Sequence, residues 1–280
     1  MELQHFLLTR FNLLLWQKDK ESRKVRTMKW LEHRFLMFEK YCLPSVKNQT
    51  CLEFEWIVLF DSKTPERFKE KIEYYQNKCP QFVPVFVEPE RGRFFAEIFR
   101  GEIIKRLKAK RVITTYLDND DALNLRFVED LQQRALHASD GIFFYYDKGY
   151  QYYTDYRYLL QIHYPRNHFV SVIERGDALA TKGVFGYGSH YSIYKKRGAV
   201  IDHIKTVPMW CEVVHEKNML NDANFLFGTK MIGDCDVLRR EFAIEEPVKA
   251  GIGIYVIRFI PRYLKTFVRR TKNKLFGRKW

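Results

Sequence analysis

Between residues 5 and 118 the chain alternates short apolar runs with amphipathic stretches, and this alternation narrows its fold more than any other feature. HFLLT (5–9), EWIVLFD (55–61), QFVPVFV (81–87) and RVITTYLD (111–118) are short, β-branched or aromatic, and nearly continuous in apolar character. Such runs suit strands buried on both faces of a parallel sheet. Between them lie helical patterns. Residues 26–43 space Met28, Leu31, Phe35, Phe38 and Cys42 by three and four, and Pro44 is expected to help end that helix. Thr64, Pro65 and Glu66 form a capped helix start. Residues 93–110 repeat the helical spacing with Phe95, Ile98, Phe99, Ile103 and Leu107. The βαβαβαβ order predicts an α/β fold with a mostly parallel central sheet and helices on both faces.

The second half is less regular. GIFFYYDKGYQYYTDYRYLL (141–160) reads as two aromatic strands joined by a hairpin around Asp147–Gly149. HFVSVIE (168–174) reads as a strand, residues 176–190 as a Gly-rich loop, and MWCEVVHEKN (209–218) as a short apolar element. GVFGYGSH does not follow a strand in the manner of a dinucleotide loop.

Open parallel sheets bind ligands beyond the carboxyl ends of their strands. Asp61 and Asp118 both fall there. TTYLDNDDALN (114–124) crowds Asp118, Asp120 and Asp121 at one strand end of a chain whose formal charge is +14. Carboxylates so placed suit a hard divalent cation that bridges to substrate phosphates. In an extended segment Asp118 and Asp120 share a side, and Asn119 points away. A turn followed by a helix cap at Asp121 is the competing reading.

Hydrophobic residues make up 46% of the chain and aromatic residues 16%, enough for a large core across one domain. The basic balance implies an acidic partner. Cys42, Cys51, Cys79, Cys211 and Cys235 are odd in number and form no CxxC pair, which reads as reduced thiols in a cytosolic protein. The apolar N-terminus lacks a basic leading region and is interrupted by Arg10, unlike a signal peptide.

Strand–DxD–helix after a βαβαβ half resembles the GT-A glycosyltransferases, and most closely the bacterial rhamnosyltransferase family. The stretches that carry the resemblance are LLTRFN (7–12), LPSVKNQTCLEFEWIVLFDSKTP (43–65), TTYLDNDDALNLRFVEDL (114–131) and PMWCEVVHEKN (208–218). The resemblance implies a GT-A-like, Rossmann-like domain over residues 1–257 that transfers a sugar from a nucleoside diphosphate donor. It implies that Asp118 and Asp120 meet Mn2+ or Mg2+, with His215 as a third ligand. Thr9, Arg10, Asn12 and Asp61 would line the nucleoside pocket, and Arg93, Asn119 and Asp121 would add donor contacts. Arg91 and Arg100 are further candidates to meet diphosphate charge. An inverting transfer also needs a base for the acceptor hydroxyl. Glu174, at the end of its strand, is the first choice, with Asp177, Asp202 and Glu212 as alternatives.

Residues 258–280 carry nine Lys or Arg and no acid. On a helix, Arg258, Arg262, Lys265, Arg269 and Lys272 form one stripe, and Ile260, Tyr263, Leu264, Phe267, Val268 and Leu275 lie opposite. A basic face against an apolar face suits a helix lying on anionic lipid, or one that packs on the domain. The expectation is a cytoplasmic enzyme, peripheral on the inner face of the membrane, that acts on a glycan or lipid-linked acceptor of bacterial surface polysaccharide. A nucleic-acid-binding protein and an inactive sugar-binding scaffold are the alternatives; no nucleic-acid module pattern is present.

Overall fold

The computed structural model describes residues 2–15, 27–196, 198–215 and 229–251, with scattered positions from 253 to 271. Strands β1 (Leu3–Arg10), β2 (Glu55–Asp61), β3 (Phe82–Val87) and β4 (Arg111–Tyr116) form where the apolar runs predicted them. Helix α1 (Met28–Met37) passes through a π-helical turn, Phe38–Cys42, into α2 (Leu43–Lys47). Pro44 therefore does not end the helix. It sits in the first turn of α2, directly after the π-helical turn. Helix α3 (Glu66–Lys78) follows Thr64 and Pro65, and α4 (Phe95–Arg106) follows a 3-10 turn at Pro89–Phe94.

After β4 come β5 (Ala122–Leu123), α5 (Phe127–His137), β6 (Ile142–Tyr146), β7 (Lys148–Tyr153), β8 (Tyr158–His163) and β9 (Ser171–Arg175). A 3-10 turn (Val184–Tyr187), α6 (His190–Lys195), β10 (Val200–Ile204), β11 (Trp210–Val214), β12 (Lys230–Ile232) and α7 (Val237–Phe242) complete the elements.

Seven strands make the central sheet in the order β10-β6-β9-β4-β1-β2-β3. Only β9 runs antiparallel to its neighbours β4 and β6. The expected α/β class, mostly parallel with helices on both faces, is borne out. Alternation along the strands sends side chains to two cores. Leu7, Trp56, Val58 and Phe60 pack with Phe35, Phe38, Phe68, Ile72, Phe127 and Leu131 of α1, its π-turn, α3 and α5. Phe6, Leu8, Ile57 and Leu59 pack on the other face with Phe99, Ile103, Val184 and Ile193.

A second sheet, β12-β8-β7-β11-β5, was not foreseen. The expected hairpin around Asp147–Gly149 does not form: β6 joins the central sheet, whereas β7 pairs with β8 and β11 in the second. Gly149 is not a turn residue. A Cβ there would lie 2.1 Å from the Trp210 ring, so the glycine lets that indole lie directly against the β7 backbone. The two sheets meet where β4 ends and β5 begins, which is the acidic stretch.

Candidate functional site

Asp118 to Asp121 connect the carboxyl end of β4 to β5, and each side chain of this loop has a different environment. The Asp118 carboxylate is 35% exposed. Its Oδ1 accepts a hydrogen bond from the Tyr116 hydroxyl at 2.6 Å, and Arg10 donates to that hydroxyl at 2.7 Å. The Arg10 guanidinium lies 3.9 Å from Asp118 and is enclosed by the rings of Phe95, Tyr116 and Phe185 at 4.7, 5.3 and 5.1 Å. Burial outweighs the pull of Arg10 and raises the Tyr116 hydroxyl well above its ordinary range.

Asn119 and Asp120 face helix α1. Arg34 donates to Asn119 Oδ1 at 3.0 Å and to Asp120 Oδ2 at 2.7 Å. His215 Nε2 lies 3.0 Å from the same Asp120 oxygen, and its Nδ1 lies 3.2 Å from His33 Nε2. Asn119 also donates to the Phe11 carbonyl. Burial alone would raise the Asp120 carboxyl, but Arg34 and His215 hold it far below the usual carboxylate range.

Asp121 turns toward the second sheet. Its Oδ1 accepts from the Val213 amide at 2.9 Å, and its Oδ2 accepts from His168 Nε2 at 2.7 Å. It is no helix cap: α5 begins at Phe127, and Asn124 Oδ1 takes the Arg126 amide. Burial on its own would lower the His168 imidazole. The hydrogen bond and charge of Asp121, with Asp118 and Glu212 behind it, outweigh burial and raise it. One ligand atom each from Asp118, Asp121 and His168 lies within 4.8 Å of the others. Among the described residues this is the one such group of three.

The expected metal set was Asp118, Asp120 and His215. The structure does bring Asp120 and His215 together, but it neutralises Asp120 with Arg34. It groups Asp118 with Asp121 and His168 instead. His168 lay beyond the reach of motif spacing, since 47 residues separate it from its partner. Arg34 did carry a signal: it falls four residues after Trp30 and three before Met37, on the half-buried face of α1. Its guanidinium lies 5.4 Å from the Trp30 ring centroid.

Several other expected residues have structural partners. Thr9 is fully buried and accepts from Trp56 Nε1 at 2.9 Å, so it points into the core and not into a nucleoside pocket. Asn12 Oδ1 accepts the Asp61 amide, and its Nδ2 donates to Thr64 Oγ1, each at 3.0 Å. Asp61 Oδ1 accepts the Lys63 amide at 2.7 Å. These bonds shape the loop at the ligand-facing edge of β1 and β2. Arg91 and Arg93 are exposed, and the Arg93 guanidinium lies over Phe94. Arg100 is engaged with the Thr181 carbonyl.

Glu174 is a correction. It pairs in register with Val112, near the start of β4, because β9 runs antiparallel. That is the opposite edge of the sheet, roughly 20 Å from Asp118 at about 3.3 Å per residue. Its carboxylate accepts the amides of Lys182 and Gly183 and the hydroxyl of Tyr187 at 2.8–2.9 Å. Glu174 thus anchors the Gly-rich loop, in which Gly183 has φ +73°. Asp177 lies at the same far edge, where it accepts the Leu179 and Ala180 amides. Asp202 is exposed on the edge strand β10, three strands from β4. Glu212 is the remaining base candidate. It is buried on β11, accepts from Gln151 Nε2 at 2.6 Å, and lies close enough to act on His168. Tyr153 in turn donates to Gln151.

The family model described as "Putative rhamnosyl transferase" matches residues 4–225. The chain belongs to this family. The match takes in β1 through β11, and with them every residue of the acidic loop and its partners. No curated protein matches the chain. Among solved structures, S. aureus TarS is 12% identical, with 76% of this chain and 37% of that chain covered and a TM-score of 0.38. S. aureus TarS 1–349 in complex with UDP is 12% identical, with 76% and 61% covered and a TM-score of 0.37. A 4-diphosphocytidyl-2C-methyl-D-erythritol synthase is 15% identical, with 73% and 90% covered and a TM-score of 0.34. The chain thus spans less than two thirds of either TarS chain.

Proposed function

We propose that this rhamnosyl transferase family member moves a sugar, rhamnose by the family's description, from a nucleoside diphosphate donor to a hydroxyl of a glycan or lipid-linked acceptor. The observation that carries this reading is the convergence of Asp118, Asp121 and His168 within 4.8 Å at the carboxyl edge of the sheet. Two carboxylates and an imidazole suit Mn2+ or Mg2+, which leaves further coordination positions for donor phosphates. The Asp118 carboxylate is exposed enough to admit them. When bound, the cation neutralises charge that develops on the departing diphosphate.

The chain's own residues do the rest. Arg10, held by Tyr116 and its aromatic enclosure, sets a cation beside Asp118 for the phosphates. Arg34 and His215 hold Asp120 and Asn119 so that the loop keeps its shape. Glu212, steadied by Gln151, accepts the acceptor's hydroxyl proton. The acceptor oxygen then bonds the anomeric carbon as the carbon–phosphate oxygen bond breaks, and that electron pair leaves with the diphosphate.

The test is a thermal-shift panel of nucleoside diphosphates and nucleotide sugars with Mn2+ or with chelator. Stabilisation that requires both metal and diphosphate supports the reading. Stabilisation by single-stranded oligonucleotides alone would replace it with a nucleic-acid function.

A further inference from the structure

The described residues between 256 and 271 are all exposed. Val256, Ile257, Ile260, Leu264, Phe267 and Val268 expose 37–68% of their surface. None of them belongs to the hydrophobic clusters of the domain, so the apolar side of this segment is not packed on the body. Ile260, Leu264, Phe267 and Val268 follow at i, i+4, i+7 and i+8, which is one face of a helix. The Thr271 hydroxyl donates to the Phe267 carbonyl four residues earlier, at 3.0 Å. Pro261 and Lys265 are also described, and the other residues of 258–280 lie outside the described positions.

Apolar side chains exposed at this density mark a docking surface, and the accompanying charge indicates what it docks on. Residues 258–280 hold nine Lys or Arg and no Asp or Glu. An acidic protein groove would accept the charge, but basic residues opposite an apolar face match a bilayer interface more fully. There the aliphatic side chains enter the acyl boundary and the basic ones meet anionic headgroups. Single-stranded nucleic acid would favour stacking aromatics, whereas three of the four face residues are aliphatic. No helix among the described residues is long and apolar enough to cross a membrane.

We propose that the segment carrying Ile260, Leu264, Phe267 and Val268 docks the protein on an anionic bilayer, with those four exposed side chains inserted and the basic charge of the sequence around them drawing it to anionic headgroups. This rests on the tail alone and holds whether or not the domain transfers a sugar.

The full chain is sedimented with phosphatidylcholine vesicles that contain or lack phosphatidylglycerol. Binding is expected only with the anionic lipid. Arg269→Gln and Arg270→Gln each weaken it about fivefold. The double variant Leu264→Glu/Phe267→Glu releases the protein from vesicles and leaves its thermal unfolding unchanged, since both side chains are exposed. Equal binding to neutral vesicles, or undiminished binding by the double variant, overturns the proposal. So does a tail that fails to bind vesicles but captures an oligonucleotide or a second copy of the chain.

Discussion

Arg34 Nη1 lies 2.7 Å from Asp120 Oδ2, with both side chains almost fully buried. This pair ties helix α1 to the acidic loop, and it explains why Asp120 can stay ionised beside Asp118 and Asp121. A buried pair contributes little net stability over an apolar substitute, but removal of one partner strands the other charge. Arg34→Ala should therefore destabilise the fold by about 3 kcal/mol, read as a lower midpoint in urea unfolding. Arg34→Met with Asp120→Ala should recover much of that loss. A single Arg34→Ala variant as stable as the parent would mean that His215 alone compensates Asp120.

His5 supplies a pH signature. It is fully buried, its Nε2 shares a hydrogen bond with Thr115 Oγ1, and burial lowers its pKa from 6.5 to about 3. Between those values the unfolded chain binds a proton that the folded chain does not. Stability is therefore lost as pH falls through this window. The His5 contribution between pH 7 and pH 5 amounts to about 2 kcal/mol, from ~1.4 kcal/mol per pH unit below 6.5. A His5→Gln variant should lose that much less than the parent over the same interval in paired denaturation curves. Parallel curves would show that His5 is protonated in the folded state.

Glu174 and Glu212 separate under conservative substitution. Glu174→Gln weakens acceptance of two backbone amides and the Tyr187 hydroxyl, so it should lower stability by about 1–3 kcal/mol and leave the pH profile of turnover in place. Glu212→Gln should cut kcat by about 10²–10⁴ with little change in the melting temperature. The same kcat loss in Glu174→Gln, with Glu212→Gln unaffected, would reverse the assignment.

Thr9→Val tests the core placement. It leaves the Trp56 indole N–H without its acceptor and should cost about 1–3 kcal/mol, while the donor KM stays unchanged. A raised donor KM at unchanged stability would put Thr9 back in the nucleoside pocket.

Strand positions were legible because a buried parallel strand must be continuously apolar, and β1 to β4 fall where those runs lie. Pairing was not legible, because a period of two says which side chains share a face and not which strand lies alongside. That is why the aromatic run at 142–153 suggested a hairpin when its two strands join different sheets. Strand direction misled in the same way. Glu174 ends its strand as Asp118 ends β4, but β9 is antiparallel, so its end lies on the far edge. In the acidic loop the residue types carried the chemistry, and the partners His168 and Arg34 came from elements whose approach only the tertiary structure sets. A helix cap at Asp121 competes with a donor contact in the sequence because the intervening strand β5 is two residues long, too short to leave a pattern.

The central claim is that a divalent cation sits on Asp118, Asp121 and His168. Its most direct test is a Mn2+ titration followed by electron paramagnetic resonance, in the presence of a nucleoside diphosphate, on the parent, His168→Ala and His215→Ala. The account predicts that His168→Ala weakens Mn2+ binding about tenfold or more, and that His215→Ala, whose imidazole meets Asp120 and His33, weakens it less. Parent-like binding in His168→Ala together with its loss in His215→Ala would contradict the account and move the cation to Asp120.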